Sequence, residues 1–140
     1  MHHPTSRSAR VVRALALCAA VLGAASESAG GENGFPFDRE LLLDAAPLRN
    51  SRRMPAIEVS PSGSTLINLW CSSGTGQVSV AADTIRIVPG PMVALPCAPE
   101  ELRRDEDLMA GLSGATGWRR DGAGIVLTGS NTLRFRPATN

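Results

Sequence analysis

Residues Leu69 to Val80 read LWCSSGTGQVSV, a cysteine that ends an apolar run and opens onto serines and glycines. Two chemistries suit those residue types: a nucleophilic thiol or hydroxyl, and a glycine loop whose backbone N–H groups cradle phosphate. A nucleophile needs a base within hydrogen-bond reach, usually histidine, and a third group to orient that base. The histidines are His2 and His3, in a stretch expected to be removed, and the chain has no lysine. A phosphate loop ends in Gly-Lys-Ser/Thr, where the lysine meets the phosphates, so Gly74 and Gly76 lack their cation. Cys71, placed on an inward strand face, would be a desolvated and inert thiol. Gly122-Ala123-Gly124 precedes a strand, whereas a dinucleotide loop opens a helix. Both glycine pairs are expected in turns, and no catalytic residue is assigned.

Metal and sugar chemistry meet similar obstacles. Zinc sites draw on clustered cysteine and histidine, and Cys71 and Cys97 stand alone. Met54, Met92 and Met109 are expected as core fillers. Asp105, Glu106 and Asp107 are consecutive, so a helix would point them to different sides, and the glycine-bearing loop of a calcium site is missing. Paired carboxylates that cleave glycosides work in clefts with aromatic platforms, but tyrosine is absent and the tryptophans are Trp70 and Trp118. The expectation is a protein that is not an enzyme and takes no cofactor or metal.

Compartment is easier to read. Arg7, Arg10 and Arg13 precede ALALCAAVLGAA at residues 14–25, the layout of a secretory signal peptide. That apolar run falls short of the roughly 20 residues that span a bilayer, so residues 1–25 are expected to be cleaved and no transmembrane segment is expected. Cys18 follows Leu17, where a lipoprotein signal needs a small residue, so it is assigned to the signal peptide and not to a lipid anchor. Cys71 and Cys97 then enter an oxidising compartment, where pairing is the default. Losing the three signal-peptide arginines leaves eleven basic side chains against 13 acidic ones. That balance gives no electrostatic footprint for nucleic acid.

The elements that position these residues follow from periodicity. Residues 26–36, SESAGGENGFP, are polar and glycine-rich and are expected to form a flexible lead-in to one domain over 37–137. FDRELLLDAAP supplies a first apolar run, and Arg49, Arg52 and Arg53 form a solvated basic loop. Period-two alternation then marks strands: Ile57 with Val59, Ile67 with Leu69 and Cys71, Val78 with Val80, Ile85 with Ile87, and Val93 with Leu95 and Cys97. Pro61-Ser62-Gly63 and Ala82-Asp83 are turns, and Pro89-Gly90-Pro91 is expected to break the sheet. Pro99 with Glu100 and Glu101 opens a helix that Gly111 or Gly114 ends. Leu102, Leu108, Met109 and Leu112 share one stripe of that helix, with Asp105 among them. Either the helix breaks near Arg104 and Asp105 caps a second piece, or a carboxylate faces the core and needs a partner; the break is preferred because an unpaired buried charge costs several kcal/mol. A hairpin closes the chain, Ile125 and Leu127 against Leu133 and Phe135, with Arg134 and Arg136 outward. The fold class is mainly β with one helix (α+β), a curved antiparallel sheet or partly open barrel packed by that single helix. Alternation sets Trp70 opposite Cys71, either beneath the helix or against another chain.

This order resembles the META domain family, the HslJ-like heat-shock and envelope proteins, over about residues 37–137. The features that carry the resemblance are Cys71 ending a strand, Gly76 five positions on, and Cys97 before a helix opened by Pro99 and Glu100. A final hairpin ending in Leu133-x-Phe135 completes them. Ser72 and Gly74 replace the family's asparagine and aromatic residue, and Leu95-Pro96 precede the second cysteine in place of Met-Ala. The resemblance implies an envelope protein of bacteria, tied to stress or antibiotic tolerance, without established catalysis. The expected function is therefore that of an exported, periplasmic or secreted non-enzymatic protein, stress-related and acting by binding an unidentified partner, a protein or an apolar ligand. The alternative is a carrier of a lipid or small apolar ligand, in a cavity lined by residues such as Leu66, Trp70, Ile85 and Val93. Thiol labelling checks the covalent part: in the native exported protein, Cys71 and Cys97 should stay unlabelled until a reductant is added, and labelling of both without it would refute the bridge.

Overall fold

The computed structural model describes residues 34–49 and 51–139. The expected signal peptide, Cys18, both histidines and most of the expected lead-in lie outside the described residues. Eight antiparallel strands follow one another in chain order around a closed barrel: β1 (Glu40–Leu43), β2 (Ala56–Val59), β3 (Ser64–Asn68), β4 (Ser72–Ala81), β5 (Thr84–Ala94), β6 (Ala115–Asp121), β7 (Gly124–Gly129) and β8 (Leu133–Pro137). One helix, α1 (Pro99–Ser113), connects β5 to β6. The curved sheet or partly open barrel expected from periodicity is thus a closed barrel, sealed where Leu41, Leu42 and Leu43 of β1 pair with Pro137, Arg136 and Phe135 of β8. Its other narrow seam is β5 to β6, joined in register at Thr84 and Gly117.

Alternation does its work in most strands. Ile57, Val59, Ile67, Val78, Ile85, Ile87, Ile125, Leu127 and Phe135 all point inward and are buried. An eight-stranded barrel is just wide enough for such side chains to fill it. Each end has a plug. At one end Phe35 is buried, its ring edge-on to Trp118 with centroids 5.1 Å apart. Trp118 donates its indole N–H to the Ala82 carbonyl in the β4–β5 turn, 2.8 Å away. The packed domain thus takes in Phe35 and Pro36, two residues that composition assigns to the lead-in. At the other end α1 lays Leu108 and Leu112 over the core.

Several local expectations change. Pro89-Gly90-Pro91 does not break the sheet: β5 runs through it, and the register shifts there, with Gly76 opposite Pro89 but Gly74 opposite Met92. Three steps on β5 oppose two on β4, a bulge that absorbs the residues unable to keep the ladder. Gly74 and Gly76 sit inside β4 and not in a turn. Their small size serves close approach, because a Cβ on Gly74 would strike the Pro91 carbonyl and lie 2.6 Å from the Met92 sulfur. The strand expected to reach Cys71 stops at Asn68, and Leu69 to Cys71 form a buried connection. Strand β6, with Gly117 and two arginines, has no clear alternation and no counterpart in the periodicity.

The helix is continuous from Pro99 to Ser113, with no break at Arg104. Its start is only half capped. Glu101 accepts a hydrogen bond from the Ala98 N–H at 3.2 Å, but Ala98 has no side-chain oxygen to return one. Ala98 already holds the extended conformation of an N-cap, with ψ at 152°. Replacing Ala98 with Ser should therefore raise stability by about 1 kcal/mol, read as a higher midpoint in urea at unchanged slope. Gly74→Ala should act in the opposite direction, by about 1–3 kcal/mol for overpacking.

Candidate functional site

The junction of α1 with the barrel gathers the residues of chemical interest. Asp105 lies on the inward stripe of the helix with Leu108 and Leu112, and is only 4% exposed. Its carboxylate faces the connection between β3 and β4. The Cys71 N–H donates to both oxygens, at 3.2 and 3.0 Å, and the Ser72 N–H donates to Oδ2 at 2.6 Å. The expectation that Asp105 caps a broken helix is corrected: the carboxylate faces inward, and its partners are two main-chain donors. A charged acceptor makes the stronger kind of hydrogen bond. The side chain therefore tethers the middle of α1 to the start of β4.

A covalent tether lies beside it. Cys71, fully buried, is disulfide-bonded to Cys97, with Cα atoms 6.1 Å apart and a sequence separation of 26. Closing a loop of that length stabilises the native state by about 3.5 kcal/mol in the chain-entropy model. Cys71 is thus fixed twice, through its sulfur to the residue before the helix and through its N–H to the helix interior.

Two concave surfaces flank α1. One is a cleft of about 530 Å³ whose floor includes Leu43, Leu48, Trp70, Leu108 and Leu133, with Arg104 and Asp107 at its mouth. The other is a shallower groove of about 380 Å³ between α1 and the ends of β4 and β5, lined by Leu69, Ser72, Met92, Met109 and Ala110 with Asp105, Glu106 and Ser113. Trp70 is buried beneath the helix, at the base of the first.

The four residues proposed to line a ligand cavity do not share a surface. Trp70 and Ile85 belong to the buried core, whereas Leu66 is 52% exposed and Val93 70% exposed on the outside of the barrel. The two disulfide cysteines are brought together as expected. Missed in the sequence were Met92, Met109, Leu43 and Leu133, because each gains its place from an element distant in sequence. Arg49 and Arg52 are exposed, and Arg53 reaches Asn68 Oδ1 at 3.4 Å, so the three arginines do not converge on one point. Among the described residues, no three of His, Cys, Asp or Glu come together as a metal-holding group, and no helix is long and apolar enough to cross a membrane.

Compared with protein-family models, curated proteins and solved structures, the chain finds no match in any of the three.

Removing the carboxylate strands two buried N–H groups, each costing about 1–3 kcal/mol. Asp105→Ala should therefore destabilise by about 2–5 kcal/mol, and Asp105→Asn, which keeps one acceptor oxygen, by less. Because both tethers hold Cys71, a double-mutant cycle between Asp105→Asn and the Cys71→Ala/Cys97→Ala pair should show non-additive losses. Additive losses in denaturant unfolding would mean that the two tethers act independently.

Proposed function

We propose that this chain is an exported, non-enzymatic binding protein of the bacterial envelope, of META-like type, that recognises a protein partner at the end of the barrel covered by α1. The observation that carries this reading is the filled interior. Leu41, Ile67, Leu69, Ile125 and Leu127 are each at most 2% exposed and occupy the space a carried ligand would need. Recognition is thereby left to surface relief, and the described relief around α1 is apolar at its base and charged at its rim. The filled core favours this reading over the carriage of a lipid inside the barrel.

Supporting the export reading are the arginine-led apolar stretch at residues 1–25 and the disulfide at Cys71 and Cys97, a bond that persists where the surroundings are oxidising. Supporting the META-like reading is the order of Cys71, Gly76, Cys97, Pro99 and the Leu133-x-Phe135 hairpin around one helix. The stress association stands on that resemblance.

Photo-cross-linking in whole cells examines the binding surface. A photoreactive residue at Leu48 or Leu133 should give discrete protein adducts, and one at Gln77, exposed on the far wall, should not. Native mass spectrometry of the exported protein should return the bare mature polypeptide. A retained lipid in repeated preparations would overturn the preference for surface recognition.

A further inference from the structure

The cleft between α1 and the β1–β2 and β7–β8 connections holds a buried donor without an acceptor. Trp70 is only 6% exposed, yet its indole N–H donates to no described residue, and it is not among the polar atoms sealed from solvent. The small exposed part of the residue therefore includes that N–H, which opens into the cleft that Trp70 lines. A buried indole N–H ordinarily finds a partner. Trp118 shows the contrast, since its own N–H is engaged by the Ala82 carbonyl. A second donor shares the cleft. The tether from Cys71 to Asp105 brings Trp70, one residue earlier, to the same surface as Arg104 and Leu108 of α1. Arg104 is exposed, and its guanidinium forms no ion pair or hydrogen bond among the described residues.

We propose that this cleft captures the C-terminal carboxylate of a protein partner whose last residue is apolar. The proposal rests on the binding reading above and names the part of the partner that is recognised. Indole and guanidinium can only donate, so both call for an acceptor, and a carboxylate is the acceptor that also answers the charge of Arg104. Leu43, Leu48, Leu108 and Leu133 form an apolar base for the terminal side chain, in a volume of about 530 Å³. Pockets of about 300–1,000 Å³, apolar with a few placed polar groups, are the kind that hold and orient a small group.

A fatty acid shares the carboxylate but matches the rest of the lining less well. Asp107, one turn after Arg104 and equally unpaired among the described residues, is an acceptor at the same mouth. A peptide terminus brings main-chain N–H groups that can donate to it, whereas a hydrocarbon tail brings none and would meet a charge. Arg104 and Asp107 together therefore match a chain end, with its carboxylate and the amide N–H groups behind it.

The test titrates the isotope-labelled, disulfide-bonded mature protein with acetyl-Ala-Ala-Leu bearing a free carboxylate, with the same tripeptide as its C-terminal amide, and with octanoate. Trp70 and Trp118 are the only tryptophans, so each indole N–H gives its own magnetic-resonance signal. The free acid should move the Trp70 signal downfield and slow its exchange, leaving that of Trp118 in place. The amide should bind about three- to tenfold more weakly. Arg104→Gln should weaken the free acid about two- to fivefold, as for an exposed charge pair, and narrow its advantage over the amide. Asp107→Ala should weaken the tripeptide and strengthen octanoate. Both substituted side chains are exposed, so the fold should survive either change. A Trp70 signal that stays in place, equal binding of acid and amide, or octanoate binding more tightly than the tripeptide overturns the proposal. If cross-links at Leu48 and Leu133 persist in that event, protein recognition stands without capture of a chain end; if they too are absent, the binding reading itself falls.

Discussion

The carboxylate of Asp105 and the two N–H groups it accepts are the constraint on which the helix end of the barrel depends. A chain that turns from β3 into β4 within Leu69 to Cys71 leaves main-chain donors pointing at the core, where no water reaches them. Burying such groups unpaired is costly. A helix carried across this end can offer one acceptor side chain, and Asp105 is that side chain. Its position in turn sets the rotation of α1, so that Leu108 and Leu112 meet the core and Glu106 and Met109 turn toward β5.

The disulfide complements this arrangement without duplicating it. From Pro99 to Arg104 the helix has no buried residue, and Leu102, though apolar, is 37% exposed. The first turns therefore gain little from packing, and the bond from Cys97 to Cys71 is what keeps them at the barrel. Beyond Asp105 the balance reverses, and burial of Leu108 and Leu112 holds the helix on its own. One end of α1 is held covalently, its middle by hydrogen bonds, and its second half by apolar contact.

How far the sequence alone reveals this depends on how local each cause is. The hairpins of β2 with β3 and β7 with β8 are legible because their alternation and their turn residues agree. The disulfide follows from the expected compartment and the cysteine count. By contrast, Pro89-Gly90-Pro91 carries a strong local signal for a break that the bulge opposite Thr75 overrides. Val126, on the outward face of β7, is buried with Arg119 and Arg134 as its register neighbours, a shielding by long side chains that alternation does not anticipate. Asp105 was visible as an anomaly, an acid within an apolar stripe. What resolves it is the pair of donors at Cys71 and Ser72, which belong to the backbone and so leave no mark in residue type.

The chain-order arrangement of the strands bears on how the molecule reaches its folded state. Every ladder except β1 with β8 joins consecutive strands, and apart from β5 with β6, which α1 separates, the sheet can grow by comparatively short steps. The last ladder joins opposite ends of the chain and carries the largest closure entropy. β1 has only four residues to offset it. A late-docking first strand leaves β8 exposed in the interval, and a β1 from a neighbouring molecule could fill the same place. The feature that completes the barrel is thus also the point at which two molecules can exchange strands.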